Sequence, residues 1–413
     1  MTTDDSPAPG SGLTPQPPAG ATPWPAARAL AHEAVLPLPP VRVALAEASG
    51  RTLAEDVVAL ADLPPFDTVS MDGWAVCGHG PWEVVGRQLA GEAPGELRRG
   101  QALQVATGSA WPRGAERVLR RERGSTHRDG GRTELRVSDD DAFPPRPDVR
   151  KAGEEAARGD TLLPAGHVVT PPVLGLVAAA GHDTLLVHPA PRVAVAVLGD
   201  ELLAAGLPGA GRIRDALGPQ LPGWVAGAGG RLVGLRRVTD TKDETRRALA
   251  DPAADLVVTT GGTARGPVDQ LHAVLADLGA QLLVDGVAVR PGHPMLLARV
   301  PDGPVVVGLP GNPLAAAVAF VGLAVPALRH ARGLAMPAAL HLVLAGAVSA
   351  PPGAHRVVPA RLDTSAGVVT LLPHGGPAML RGLADATHLA VVPPGGAAEG
   401  DAVDVLPLPW LTD

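Results

Sequence analysis

The sequence predicts a multidomain α/β protein, and three of its features lead to this prediction. Its 413 residues are enough for two to four domains, at roughly 100–200 residues per domain. Apolar residues make up 46% of the chain, and 51 Gly and 45 Pro favour many short elements separated by turns. Between residues 192 and 332 strand-like runs alternate with helical patterns, whereas short β-like runs dominate before and after this region.

The region 192–332 predicts βαβ units around a mainly parallel sheet. Its first strand is a continuous apolar run, as expected for a strand that is buried on both faces. The second helix is expected to begin at a capping box formed by Thr241 and Glu244. The expected strands cover residues 193–198, 231–238, 255–260, 281–284, 287–289 and 304–308. The expected helices cover residues 216–228, 243–250, 268–278 and 314–332.

Short β-like runs bounded by Gly, Pro and charged residues predict two smaller β modules. One lies within residues 71–141, and the other follows Pro337 as a small barrel or sandwich. Residues 24–55, including 41–48, have a helical pattern. The first 25 residues are rich in Pro, Gly, Ser and Thr without the features of a signal peptide, which predicts a disordered tail.

Charge and cysteine content exclude several classes of function. The net charge of −7, without a basic stripe, argues against a nucleic-acid partner. The single cysteine, Cys77, allows neither an internal disulfide nor a thiolate metal site, and it suits a reducing cytosol. The longest apolar run, residues 314–325, is too short to span a bilayer. We therefore expect a cytoplasmic protein with no membrane partner.

Candidate site residues follow the strands of the predicted sheet. Ligands bind beyond the carboxyl ends of the strands in open α/β sheets, so residues at these ends are expected to converge. They are Gly199, Asp200 and Glu201 after the first strand, Asp240 after the second, Gly261 and Gly262 after the third with Asp269 at the next helix, and Pro310, Gly311, Asn312 and Pro313 after the strand 304–308.

These residue types predict a phosphorylated or nucleotide-like anion bound together with a metal. Gly261 and Gly262 allow the backbone amides to approach an anion. The carboxylates of Glu201, Asp240 and Asp269 are suitable ligands for Mg²⁺, which commonly bridges to substrate phosphates. Simpler explanations remain open at this stage, because the acids also suit first turns of helices and Asn312 suits an N-cap.

Seven segments, in this order, resemble motifs of the MoeA family, whose relatives include the E domain of gephyrin. The most specific is PPFDTVSMDGWAV at residues 64–76, which is similar to the family's Pro-Pro-Phe-Asp and Met-Asp-Gly-Tyr-Ala-Val signature. The others are ATGS at 106–109 with PRGAERV at 112–118, RKAGEE at 150–155, GDEL at 199–202, TGG at 260–262, RPGHP at 290–294 and GLPGNP at 308–313.

The resemblance implies a division of the chain into domains that agrees with the patterns of strand-like and helical runs described above. It implies an α/β molybdopterin-binding domain with a mainly parallel sheet, an elongated connector, an inserted β-rich domain and a C-terminal β-barrel. The expected boundaries are 1–23 for the tail, 24–60 with 145–190 for the connector, 61–144 for the inserted domain, 191–334 for the α/β domain and 335–413 for the barrel.

The resemblance also implies the insertion of molybdate into adenylylated molybdopterin, with hydrolysis of the adenylate. It implies a homodimer, in which Asp72 and Thr107 of one chain complete a catalytic site built on Glu201, Asp240 and Asp269 of the other. Mg²⁺ is expected on Glu201 and Asp269, and a molybdopterin adenylyltransferase is a possible partner. The residues expected to bind the pterin substrate are Thr107, Gly199, Asp200, Asp215, Gly261, Gly262, Arg290, Pro310, Gly311, Asn312 and Pro313.

Several polar residues of the family motifs are replaced in this chain. The replacements stand at Glu155, Leu198, Leu217, Ala264, Arg290, His293 and Ala315. They leave open a second hypothesis, a weak or inactive paralogue that binds molybdopterin or scaffolds cofactor transfer. A third hypothesis is an unrelated nucleotide-binding α/β protein.

Overall fold

The computed structural model describes residues 20–138, 143, 147–251, 253–264 and 270–411. The chain forms two compact units, a larger one of Met1–Val41 with His188–Asp413 and a smaller one of Arg42–Val187. Most of the predicted tail, up to residue 19, lies outside the described residues. Its last two residues are not a free tail, because Thr22–Pro23 pairs as a parallel strand with Val287–Arg290.

A six-stranded, mainly parallel sheet forms the centre of the larger unit. Its strands in chain order are β1 (Arg192–Leu198), β2 (Arg231–Val238), β3 (Leu256–Thr260), β4 (Gln281–Asp285), β5 (Leu296–Arg299) and β6 (Val305–Leu309). Their order across the sheet is β2-β1-β3-β6-β5-β4. The first four in this order are parallel, whereas β5 and β4 are antiparallel to their neighbours. The predicted sheet is confirmed, and β5 is a strand that the sequence pattern did not indicate.

Helices pack on this sheet close to the predicted positions. They are Leu221–Gly227, Lys242–Leu249, Leu271–Asp277, Pro313–Ala319 and Val325–Ala331, with a π-helical segment Phe320–Ala324 joining the last two. The helix Lys242–Leu249 starts where the capping box predicted, but Thr241 forms no side-chain cap hydrogen bond. The stretch Pro313–Ala331 is long and apolar enough to cross a membrane, yet 89% of its most apolar window is buried, as in the core helix of a domain.

The helix Trp24–Ala34 belongs to the larger unit, not to the connector predicted over residues 24–60. Trp24, Ala27 and Ala31 are buried on one helical face, at the spacing of an amphipathic helix. They share one apolar core with the stretch Pro313–Ala331, including the fully buried Phe320. Burial of this face therefore decides which unit the helix joins.

A closed barrel of five strands follows the α/β region and confirms the predicted C-terminal β-barrel. The strands are Leu340–Leu344, His355–Asp363, Val368–Leu371, His388–Val392 and Ala402–Pro407, with a short helix Arg381–Asp385. Hydrogen-bonded pairing continues around the ring of five without an open edge. The strand Val287–Arg290, predicted for the α/β sheet, instead pairs with His355–Asp363. The predicted place of this strand in the α/β sheet is therefore wrong. The chain passes from one sheet to another between β4 and this strand, and local sequence patterns do not encode such a change.

The smaller unit contains a six-stranded sheet within the predicted range 61–144. Its strands are Gly73–Val76, Trp82–Gln88, Gln101–Val105, Arg117–Arg120, Gly124–Asp129 and Arg132–Val137, with a 3-10 turn Arg121–Arg123. Cys77 is buried and belongs to an apolar core cluster beside this sheet.

The two sequence segments predicted to form the connector pair with each other. Thr184–His188 lies between Val41–Ala44 and Thr52–Leu53, and Val57–Val58 pairs with Thr161–Leu163. The other elements are Leu45–Ala48, Thr68–Val69, Val149–Arg150 and Pro171–Ala179. The helical prediction for residues 41–48 is wrong in its first half, because β-branched Val41 and Val43 form a paired strand.

A substitution at Gly322 tests the packing of the helix Trp24–Ala34, and a substitution at Gly175 in another helix is its control. A Cβ at Gly322 would lie 2.6 Å from the Trp24 ring, so we expect Gly322→Ala to destabilise the protein by about 1–3 kcal/mol. Gly175 in Pro171–Ala179 has open space around it, so Gly175→Ala should stabilise by roughly 0.5–1 kcal/mol. Urea unfolding measures both, and equal stabilisation by the two substitutions would contradict the Trp24 packing.

Candidate functional site

Two adjoining cavities open at the carboxyl ends of β1, β2, β3 and β6. Their volumes are about 210 Å³ and 300 Å³, and both are lined by Leu198, Glu201 and Gly261. We call them together the strand-end site. The first also contains Asp240, Gly262 and Ala264, and the second Asp215, Gly311, Asn312 and Pro313. The predicted convergence on one edge is therefore observed, whereas Asp269 lies outside the described residues.

Glu201 is placed by the short turn that follows β1. Gly199 has a φ of 130°, and a Cβ there would lie 2.7 Å from Oε2 of Glu201. The Glu201 carboxylate thus folds back over the glycine, and a side chain at this position would have to displace it. The backbone oxygen of Glu201 accepts a hydrogen bond from the amide of Ile213 at 3.0 Å. The turn is therefore anchored while its carboxylate faces the cavities.

Asp240 joins the end of β2 to the same turn. Its Oδ2 accepts a hydrogen bond from the amide of Asp200 at 3.3 Å. Asp200, Glu201 and Asp240 are all exposed, so their charged forms keep their hydration. In the described parts of the chain no group of three or more His, Cys, Asp or Glu side chains is placed to hold a metal ion. Glu201 and Asp240 together offer two carboxylates at this cavity. Mg²⁺ is commonly bound by one or two protein carboxylates.

Asp215 has a different environment from the acids of the rim. Its side chain is 3% exposed, and its Oδ2 accepts a hydrogen bond from Arg237 at 2.9 Å. Its Oδ1 accepts the amides of Leu217 and Gly218 at 3.0 Å and 2.8 Å. These donors give Asp215 a structural role, and because Asp215 also lines the second cavity, its contact with the substrate stays a prediction.

A third cavity, of about 1100 Å³, lies between the loop after β6 and the C-terminal barrel. We call it the cationic groove, because Arg290, His293, Arg356 and His374 line it and no acidic side chain does so among the described residues. Pro310 and Asn312 also line it.

Of the residues that line the groove, Arg290, Pro310 and Asn312 were predicted from the sequence, whereas Arg356 and His374 were not. Arg356 is in register with Arg290 across the crossover strand pair. No local signal in the sequence connects a barrel strand with the α/β region. Only the pairing of Val287–Arg290 with His355–Asp363 shows that Arg356 lies beside Arg290.

Asp72 and Thr107, predicted as a pair, lie together in the smaller unit. Oδ1 of Asp72 accepts hydrogen bonds from the amide and the hydroxyl of Thr107, at 2.7 Å and 2.9 Å. These two hydrogen bonds, with a smaller contribution from the charge of Arg121, lower the pKa of Asp72 below its usual value. The carboxylate thus remains ionised further into acid, and the contact is lost as the pH falls through that pKa.

Three family models match the chain. The model described as "MoeA N-terminal region (domain I and II)" matches residues 22–181. The model "Probable molybdopterin binding domain" matches residues 194–330, and "MoeA C-terminal region (domain IV)" matches residues 341–408.

Curated relatives match over nearly the whole chain. A protein named molybdopterin molybdenumtransferase 2 from Mycobacterium tuberculosis is 34% identical over 379 residues, 86% of this chain and 91% of its own. The molybdopterin molybdenumtransferase of Synechococcus elongatus is 32% identical over 396 residues, 91% of this chain and 96% of its own.

Solved structures agree with the architecture. Two structures of a molybdopterin biosynthesis MoeA protein from Pyrococcus horikoshii match with a TM-score of 0.74 each, at 26% and 23% identity. They cover 94% and 93% of this chain and 99% of their own.

The contact between Thr107 and Asp72 predicts a measurable change in acidity. Thr107→Val removes the hydroxyl donor and keeps the amide donor, so the pKa of Asp72 should rise part of the way to its ordinary value. Carboxyl-detected NMR titration measures this pKa. Asp363, whose pKa is lowered by hydrogen bonds from Ser365 and Ala366, is an internal control that should not change. An unchanged pKa of Asp72 would contradict the hydroxyl contact.

Proposed function

This chain belongs to the MoeA family, and on that premise we propose that it inserts molybdate into adenylylated molybdopterin, with hydrolysis of the adenylate. The observation that carries the proposal is the pair of exposed carboxylates, Glu201 and Asp240, beside the glycine turn at the strand-end site. Such an arrangement suits a substrate that presents phosphate groups together with a cation. The names of the curated relatives support the same reaction class.

The residues of the rim fit a divalent cation by their chemistry. Glu201 and Asp240 present hard oxygen atoms at one cavity, with room for water and phosphate oxygens. When bound there, Mg²⁺ would neutralise charge on the phosphoryl oxygens and orient the attacking oxygen. Asp269, expected as a second ligand beside Glu201, remains a prediction.

The glycine turn after β3 supplies the anion-binding part of the proposal. Gly261 and Gly262 have φ of 80° and 69°, a conformation that non-glycine residues rarely adopt. In this conformation the amides can turn toward the phosphate oxygens of the adenylate. Gly311, Asn312 and Pro313 line the other wall of the same site. We assign these residues to substrate binding and orientation.

The cationic groove is the proposed entry site for molybdate. Arg290 and Arg356 carry permanent positive charge, and an oxyanion forms strong charge-assisted hydrogen bonds with guanidinium groups. Asn312, in the loop after β6, lines both this groove and the second cavity of the strand-end site. Molybdate bound in the groove would therefore lie close to the adenylylated pterin.

The proposal extends to partners and compartment. We propose a homodimer in which Asp72 and Thr107 of one chain complete the strand-end site of the other. We also propose a cytoplasmic location, and delivery of the adenylylated pterin by a molybdopterin adenylyltransferase. The chain has one cysteine, Cys77, and a free thiol is compatible with a reducing compartment.

Replacing the central carboxylate tests the reaction. Glu201→Gln keeps the shape of the side chain but removes its charge, and we expect turnover to fall about 100-fold because a charge-stabilising group is worth several kcal/mol. Release of AMP from adenylylated molybdopterin in the presence of molybdate measures turnover. Glu244→Gln, in the helix Lys242–Leu249 and paired with Arg247, is the matched control that should keep full activity.

The same assay distinguishes the proposal from a catalytically inactive paralogue. Turnover by the unsubstituted protein, lost in Glu201→Gln, supports the molybdenumtransferase. Pterin binding without any AMP release by the unsubstituted protein would reject it and favour a binding or scaffolding role.

A barrel residue tests the molybdate groove. Arg356→Gln removes one guanidinium, so the KM for molybdate should rise about 10-fold, as expected for one partly exposed charge-assisted contact. The affinity for the pterin substrate should remain unchanged. Arg361→Gln, on the same strand but bonded to Asp385, is the control. Equal KM values for molybdate in the two variants would contradict an oxyanion site in the groove.

A further inference from the structure

Arg237, near the end of β2, lines neither cavity of the strand-end site, yet it is linked to that site by hydrogen bonds. Its guanidinium donates to Oδ2 of Asp215 at 2.9 Å. The side chain of Arg237 is 45% exposed, whereas that of Asp215 is 3% exposed. The arginine therefore provides the charge partner that a buried carboxylate requires.

Asp215 in turn organises the segment that follows Ile213. Its Oδ1 accepts the amides of Leu217 and Gly218, so the carboxylate closes the turn before the helix Leu221–Gly227. A Cβ at Gly218 would collide with the Asp215 carboxylate, which shows how tightly the turn encloses it. The position of this turn thus depends on the charged pair.

Two backbone hydrogen bonds connect this turn to Glu201. The amide of Asp215 donates to the oxygen of Leu203 at 3.0 Å, and the amide of Ile213 donates to the oxygen of Glu201 at 3.0 Å. They form a short parallel pair between Leu202–Leu203 and Ile213–Arg214. A displacement of Asp215 would therefore move the backbone that carries Glu201.

The end of β2 holds the Glu201 turn from a second side. Asp240, three residues after Arg237, accepts the amide of Asp200. The segment that carries Glu201 is thus bound to the β2 end by Asp240 directly and by Arg237 through Asp215. Without Arg237 only one of these two attachments remains.

We infer that Arg237 is a positioning residue, which holds the Glu201 carboxylate in its reactive place through Asp215. The inference rests on the proposed function, because it assigns Glu201 to the reaction. Loss of the Arg237 guanidinium leaves the buried Asp215 carboxylate without its counterion, so the turn shifts and Glu201 shifts with it. The effect falls on the chemical step more than on substrate affinity, since the residues assigned to substrate binding at the turns after β3 and β6 are not part of the shifted turn.

Two measurements on Arg237→Gln test this inference. We expect kcat to fall at least 10-fold with KM for adenylylated molybdopterin within twofold, and Arg237→Lys to restore part of the loss. Hydrogen–deuterium exchange of peptides covering residues 199–215 should be faster in Arg237→Gln under native conditions. Arg236→Gln is the matched control, because Arg236 is adjacent on β2 but pairs with Asp251 at 3.6 Å.

The two measurements separate this inference from the proposed function. Unchanged exchange over residues 199–215, or a kcat no lower than in Arg236→Gln, would overturn the positioning role. A lower melting temperature with normal kcat would show a structural role alone and would also overturn it. If the unsubstituted protein releases no AMP, the proposed function fails, and the exchange measurement alone decides whether Arg237 holds the Glu201 segment.

Discussion

The parallel alignment of β2, β1, β3 and β6 is the constraint on which the strand-end site depends. Parallel strands deliver their carboxyl ends to one edge, so residues separated by more than a hundred positions become neighbours. Each strand is followed by a turn rich in glycine or acids, and none of these turns forms a site by itself. The strand β1, with all its residues from 193 to 198 buried, lies between β2 and β3 at this edge.

Carboxylates at this edge differ in function because they differ in environment. Glu201 and Asp240 are exposed and keep their hydration, so they can exchange water for a cation. Asp215, only a few residues along the chain, is buried and its oxygens are occupied by Arg237 and two amides. Its charge stabilises a turn, whereas the exposed carboxylates of Glu201 and Asp240 face the cavity.

The crossover between the two sheets of the larger unit extends the site beyond the α/β region. The strand Val287–Arg290 follows β4 along the chain but pairs with His355–Asp363 of the barrel, which places Arg356 beside Arg290. The apolar core is continuous from Trp24 through Phe320 to Val391 of the barrel. The barrel is therefore part of one packed unit, and its cations contribute to a groove that the α/β region alone would lack.

The sequence by itself determined the alternation of strands and helices, the C-terminal β module and the acids and glycines at the strand ends. These features are local, since hydrophobic periodicity and turn residues act within a few positions. Only the tertiary structure decided that Trp24–Ala34 joins the larger unit, that Asp215 is buried, and that Arg237 and Arg356 belong to the surroundings of the site. These outcomes depend on burial and pairing between segments that are distant in the sequence. A local sequence pattern does not determine which distant segment packs against a given residue.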